Sequence, residues 1–253
     1  MKRENSRIAT RKTPAFLFDL DGTLVDSVYH HVMAWREAVD KMGLEVSNWR
    51  IHRQMGMGDR LIVHTFERET GHCLTSEEED HLRNLHTEAY LKRAPEVRPL
   101  PGALDLLSCL SSLSVPWTIA TSSSFERARA SLEMLGIGSD IPVVTGDQVS
   151  EGKPDPGLFL MAVRQLGVPV GTCMIVGDAV WDLLAARRAG ALGIGMLSGG
   201  YGEDELFRAG AYRVYEDPAD LLRHLYEVGV HGRDSAGVKK PLSKTAHMSH
   251  EGS

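Results

Sequence analysis

Ala15-Phe16-Leu17-Phe18-Asp19-Leu20-Asp21-Gly22-Thr23-Leu24-Val25-Asp26-Ser27 is the stretch from which the fold is read. Its first four residues are apolar and aromatic-rich, as in a short strand buried on both faces. Side chains alternate along a strand, so Asp19 and Asp21 leave its end on the same side, and Gly22-Thr23 then turns the chain. Two acids abutting a hydrophobic strand are costly unless something uses them. Like charges converging in a partly dry place need a shared proton or a bound cation. That the pair merely ends a strand is the plainer reading, and it leaves the cost unanswered. Asp26-Ser27 reads as the cap of the helix that follows.

Beyond Ser27 the pattern is helical for some seventy residues. Val28, Val32, Trp35, Val39 and Met42 recur at steps of three and four up to Gly43. Asp59 can cap a segment through Leu61, Ile62 and Phe66 to Gly71, and Ser76 with Glu79 forms a capping box ahead of Leu82, Leu85 and Ala89. Pro95 ends the series. From Pro99 helices and strands alternate. A helix with Leu104, Leu107, Leu110 and Leu113 on one face leads to a strand over 115–121, and helices over 125–135, 157–166 and 180–189 separate strands at 141–144, 173–176 and 192–196. Residues 212–214 are an edge-strand candidate, and Asp217-Pro218 starts a last helix through Leu225. The expected class is α/β, a Rossmann-like parallel sheet with helices on both faces, built from 14–28 and 97–230. Residues 29–96 are too long for a loop and read as an inserted α-helical cap. Residues 1–13 are expected to be a disordered basic leader and 231–253 a disordered polar tail.

The 253 residues, 42% hydrophobic and 25% charged, are those of an ordinary globular chain, and the formal charge of -6 gives no sequence-wide argument for nucleic acid or anionic membrane as a partner. No stretch is apolar enough for a signal peptide or a membrane span. Cys73, Cys109 and Cys173 are odd in number, widely spaced and form no CxxC, which fits reduced thiols in the cytoplasm, with neither disulfide nor zinc site. The expected partner is a small solute, and the expected assembly a monomer or weak homodimer.

In open parallel sheets ligands bind beyond the carboxyl ends of the strands. The remaining candidates all fall there. Thr121, with Ser122 and Ser123, follows a strand just before a helix N-terminus, an anion site by its hydroxyls and N–H groups, though a serine-rich helix cap would look similar. Lys153, in the rigid turn Gly152-Lys153-Pro154-Asp155-Pro156, can screen repulsion between a carboxylate and an anionic phosphoryl group. Asp178 and Asp182 lie four apart at the start of a helix and can face one point. An oxygen-only donor set with few carboxylates favours Mg²⁺ over Ca²⁺. His81 and His86 lack the helical step of a zinc pair.

Asp19-Leu20-Asp21-Gly22-Thr23, the strand end at Thr121, the Lys153-Pro154-Asp155-Pro156 run and the Asp178/Asp182 pair together resemble the four motifs of the haloacid dehalogenase-like hydrolases, in the expected order and over roughly 14–228. The resemblance implies a phosphatase in which Asp19 attacks a phosphoryl group to form an aspartyl-phosphate. Asp21 then protonates the leaving alcohol and later activates water. It further implies Mg²⁺ held by Asp19, the Asp21 carbonyl and Asp178, with Asp182 holding the metal's waters. His31, one turn before Trp35, resembles a feature of the phosphoglycolate phosphatase and β-phosphoglucomutase branch and can point into the cleft. Arg53 and Arg60, around Met55-Gly56-Met57-Gly58, can bring a guanidinium to a second anionic group, or be solvated arginines on a turn.

The expected activity is hydrolysis of a phosphoglycolate- or sugar-phosphate-like metabolite, with a phosphomutase as the alternative. The mutase-like pattern has an arginine three residues after the glycine, where this chain has Asp59. A dehalogenase has no use for Asp21 as acid. A phospho-aspartate signalling receiver would carry its acid after a later strand and lack the insert. A catalytically silent binding protein would have lost a catalytic position, and none is replaced.

Overall fold

The computed structural model describes residues 14–138 and 140–231. The expected leader, and the expected tail beyond residue 231, lie outside those residues. Strand β1 (Ala15–Phe18) is central, and all four of its residues are fully buried. Alternation sends Ala15 and Leu17 into a core with Leu158, Phe159 and Ile175, and Phe16 and Phe18 into another with Leu106, Leu110 and Ile119. That two-sided burial is why the strand reads as a continuous apolar run.

Four helices follow β1: α1 (Val28–Lys41), α2 (Asn48–His52), α3 (Asp59–Thr70) and α4 (Ser76–Arg93). They enclose their own core of Trp35, Ile51, Phe66 and Leu82. The chain then runs through α5 (Ala103–Ser112), β2 (Trp117–Ala120), α6 (Phe125–Met134), β3 (Val143–Val144), α7 (Gly157–Leu166), β4 (Cys173–Gly177) and α8 (Val180–Ala189). It ends with β5 (Leu192–Met196), α9 (Glu203–Ala209), β6 (Ala211–Tyr215) and α10 (Pro218–Arg223). All six strands pair in parallel, in the order β3-β2-β1-β4-β5-β6. Progress outward through β2 and β3 reverses at β4, which pairs on the other side of β1. The strand order therefore switches at β1 and β4, where a crevice opens at the carboxyl ends.

The structure departs from the sequence reading in local detail. The capping box of α4 is Thr75 with Glu78, one residue earlier than expected: Glu78 N–H donates to Thr75 Oγ1 at 3.3 Å and Thr75 N–H to Glu78 Oε2 at 2.8 Å. Thr75-Ser76-Glu77-Glu78-Glu79 contains two overlapping copies of the box, so the pattern alone does not choose. On α5 the buried side is Ala103, Leu106, Leu107 and Leu110, while Leu104 is exposed. Steps of three alone drift off the face that steps of three and four maintain. Helices α2 and α9 had no counterpart in the sequence reading, both being too short and polar for a clear periodic signal.

Candidate active site

Asp19 leaves β1 with its N–H bonded to the Val176 carbonyl at 2.8 Å, tying the first strand end to that of β4. Its Oδ1 lies 2.7 Å from Lys153 Nζ, which lies 2.7 Å from Asp182 Oδ1 as well. Lys153 and Asp182 have no exposure to water. Burial pushes the Lys153 ammonium towards losing its proton, but Asp182 and Asp19 outweigh it and hold the pKa above its ordinary value. Burial, with Asp182 and Asp21 nearby, raises Asp19 to about 7 despite Lys153. Asp178 is pushed well above the carboxylate range by burial and then by Asp182 and Asp19, against a hydrogen bond donated to its Oδ1 by Thr23 Oγ1 at 2.8 Å.

Such a concentration of acid requires close backbone approach. Gly22 has φ +81°, and a Cβ there would come 2.5 Å from Asp178 Oδ2, so glycine supplies both the turn and the space. Oxygen atoms of Asp19, Asp178 and Asp182 lie within 4.8 Å of one another. Three buried carboxylates against one ammonium leave an excess of negative charge, and their oxygens form a donor set that fits a hard divalent cation.

Asp21 has separate partners. Ser27 Oγ donates to its Oδ1 at 2.6 Å and Ser123 Oγ to its Oδ2 at 2.8 Å, with Thr121 Oγ1 at 3.5 Å. His31 Nε2 lies 3.2 Å from Oδ1. Burial alone would raise this carboxyl; His31 first, then Ser27 and Ser123, hold it well below the usual range. Ser27 stands at the N-cap position of α1 but gives its hydroxyl to Asp21, not to the helix, which corrects its expected capping role. His31 stacks on Tyr90 at 3.8 Å and places Nδ1 3.2 Å from Nε2 of His86, which stacks on Trp35 at 4.0 Å. Burial, then Arg127 and His31, lower the His86 pKa well below its ordinary value, so this imidazole is neutral.

Asp19 and Asp21 open into a cavity of about 40 Å³ between the sheet's carboxyl end and the helical insert. Thr121, Ser122, His31, Trp35, Asp59 and Arg127 are among its walls. The structure thus brings together Asp19, Asp21, Thr121, Ser122, Lys153, Asp178, Asp182 and His31. Ser122 reaches across to donate to the Gly56 carbonyl at 3.2 Å. Asp182 bonds Lys153 and accepts from the Ala179 N–H at 3.1 Å. Arg53 and Arg60 are not brought in. Arg53 pairs with Glu205 at 2.6 Å over the Tyr201 ring, and Arg60, largely exposed, lies 3.7 Å from Glu151. Long exposed arginines satisfy themselves with the nearest carboxylate, and here those carboxylates lie outside the cavity. The sequence reading gave Asp59 and His86 no place in the site and passed over Arg127. Their partners are remote in sequence, and His86 was weighed only against His81 on its own helix.

Residues 13–190 match the model of the haloacid dehalogenase-like hydrolases. The chain belongs to that family. Hexitol phosphatase A of Escherichia coli (strain K12) is 33% identical over 178 residues, covering 69% of this chain and 79% of the relative. A phosphoglycolate phosphatase of Rhodospirillum rubrum is 31% identical over 220 residues, covering 82% and 88%. The crystal structure of a hydrolase from Pseudomonas syringae, 49% identical, superposes with a TM-score of 0.83 over 85% of this chain and 98% of that one. As a haloacid dehalogenase-like hydrolase with such relatives, the chain is an enzyme of the phosphatase type. No helix among the described residues is long and apolar enough to cross a membrane.

Proposed function

We propose that this hydrolase is a Mg²⁺-dependent phosphatase of a small phosphorylated metabolite, phosphoglycolate- or sugar-phosphate-like, working through a phosphoryl group carried on Asp19. The observation that carries the reading is that Asp19 and Asp21 share one cavity, yet each has its own cationic or proton-bearing partner, Lys153 for the first and His31 for the second. In the first step an Asp19 carboxylate oxygen attacks phosphorus and the ester P–O bond breaks. The leaving alkoxide takes a proton from Asp21, the one proton that Asp21 shares with His31. In the second, water attacks the aspartyl-phosphate, gives a proton back to Asp21, and the P–O bond to Asp19 breaks to release phosphate. Thr121 and Ser122 orient the phosphoryl oxygens, and Lys153 balances their charge. Asp19, Asp178 and the Asp21 carbonyl would hold Mg²⁺, with Asp182 beside them. The ion supplies charge stabilisation to the phosphoryl group when bound.

Helices α1 to α4 serve in this reading as a cap that excludes water during the first step. The free thiols Cys73, Cys109 and Cys173 agree with a cytoplasmic place of work. Phosphate release from a panel of phosphoglycolate, sugar phosphates and nucleotides, with and without Mg²⁺, tests the reading against Asp19→Asn. The variant should lose about a thousandfold or more in kcat. Equal turnover by both proteins removes Asp19 as nucleophile. A wild type silent on every ester but able to isomerise β-glucose 1-phosphate is a phosphomutase instead.

A further inference from the structure

The cavity wall carries a second group of polar residues, which spans the insert and the sheet unit. Arg127, on α6, is only 4% exposed and gives Nη2 to Asp59 Oδ2 at 2.6 Å across the gap to α3. Nη1 donates to Thr87 Oγ1 at 3.2 Å, while Nε is buried with no partner. His86, 1% exposed, lies in the same wall and has a second orphan nitrogen, Nδ1, which donates or accepts according to the tautomer that the His31–His86 pair adopts. Two buried polar nitrogens without partners are costly unless a ligand completes them.

Building on the phosphatase reading above, we propose that Asp59, Arg127 and His86 are the specificity site for the leaving group, and that it takes the neutral hydroxyls of a phosphorylated polyol or sugar in preference to the carboxylate of a phosphorylated acid. A hydroxyl both donates and accepts, so neighbouring hydroxyls can accept from Arg127 Nε and pair with His86 Nδ1 in either tautomer while donating to Asp59. A carboxylate only accepts. It would stand beside Asp59 in a cavity that already holds Asp19 and Asp21. Arg127 is the one Lys or Arg lining that cavity among the described residues, and its charge is already balanced by Asp59. A site built to hydrogen-bond hydroxyls discriminates strongly against ligands that leave its groups unpaired.

The competing account makes Asp59–Arg127 a strut that holds the insert against the sheet unit. A strut affects every substrate alike, whereas a specificity site changes their ratio. The test is kcat/KM for phosphate release from sorbitol 6-phosphate, glucose 6-phosphate and phosphoglycolate, with wild type and Asp59→Asn and with thermal melts of both. Wild type should favour the better hydroxyl-bearing ester over phosphoglycolate by about a hundredfold or more. Asp59→Asn, which frees the guanidinium, should shrink that ratio by about tenfold or more, chiefly through a lower KM for phosphoglycolate. A wild type that prefers phosphoglycolate, or a variant that lowers all three substrates by one factor, overturns the proposal and leaves the phosphatase reading standing. The wild-type ratio stands even if the variant does not fold. No release from any ester overturns the phosphatase reading itself.

Discussion

The ammonium of Lys153 lies 2.7 Å from both Asp19 Oδ1 and Asp182 Oδ1 with no exposure to water. Removing one member of a buried charge cluster leaves the others uncompensated, at about 3–5 kcal/mol. Lys153→Met should therefore destabilise the fold by roughly that amount in urea unfolding at pH 8, and turnover should fall by about a hundredfold or more. The stability loss should be smaller at pH 5, because Asp19 then carries a proton and no longer needs the missing charge. A loss independent of pH would mean that packing, not charge, is what Lys153 contributes. Asp21 illustrates a different use of a carboxylate: Ser27, Ser123 and His31 surround it with donors, so its ionised form is held at rest and a proton must be supplied to it.

At the scale of elements, α3 is anchored to the sheet unit at its first turn. Gly58, which holds the N-cap position expected of Asp59, donates its N–H to the Lys153 carbonyl at 3.1 Å, so the insert touches the backbone of the buried lysine itself. A Cβ on Gly58 would sit 2.6 Å from Gly152 Cα. Its φ of -68° suits any residue, so glycine stands here for space alone. Gly58→Ala should lift the insert from the Lys153 loop and lower kcat/KM by about ten- to a hundredfold, with a melting temperature within a few degrees of wild type. Steady-state kinetics beside a thermal melt check this; unchanged kinetics would make the contact incidental.

For the whole molecule, the central tension is a fold that brings acids together and must be stable with them. Asp19 titrates near 3.8 when unfolded and at about 7 when folded. Between those values the folded chain holds a proton that the unfolded chain has lost, so stability falls as pH rises through that window, and Asp178 acts in the same direction. A divalent ion binds the ionised carboxylates, so Mg²⁺ should raise the melting temperature more at pH 8 than at pH 5. With Mg²⁺ at about a hundred times its Kd the gain is about 2.7 kcal/mol, or roughly 5–10 °C for a chain of this size. Equal shifts at both pH values would place the ion elsewhere.

Much of this architecture is legible in the chain itself, because the signals are local. An apolar run ending in Asp19 and Asp21 marks the central strand, alternating periods mark the parallel sheet, and the carboxyl ends of its strands collect Thr121, Lys153, Asp178 and Asp182 without any knowledge of side-chain positions. Thr75 against Ser76 as the cap of α4 was undecided locally, since the two overlapping boxes differ by one residue and packing alone selects between them. The residues around the leaving group were decided by tertiary structure. His86 meets His31 across 55 residues, and Arg127 on the sheet unit meets Asp59 on the insert, while Arg53 and Arg60, adjacent in sequence to that same loop, turn to Glu205 and Glu151 instead. A backbone pattern fixes which strand ends converge; which long side chain finds which partner depends on the docking of the insert, and no periodicity encodes it.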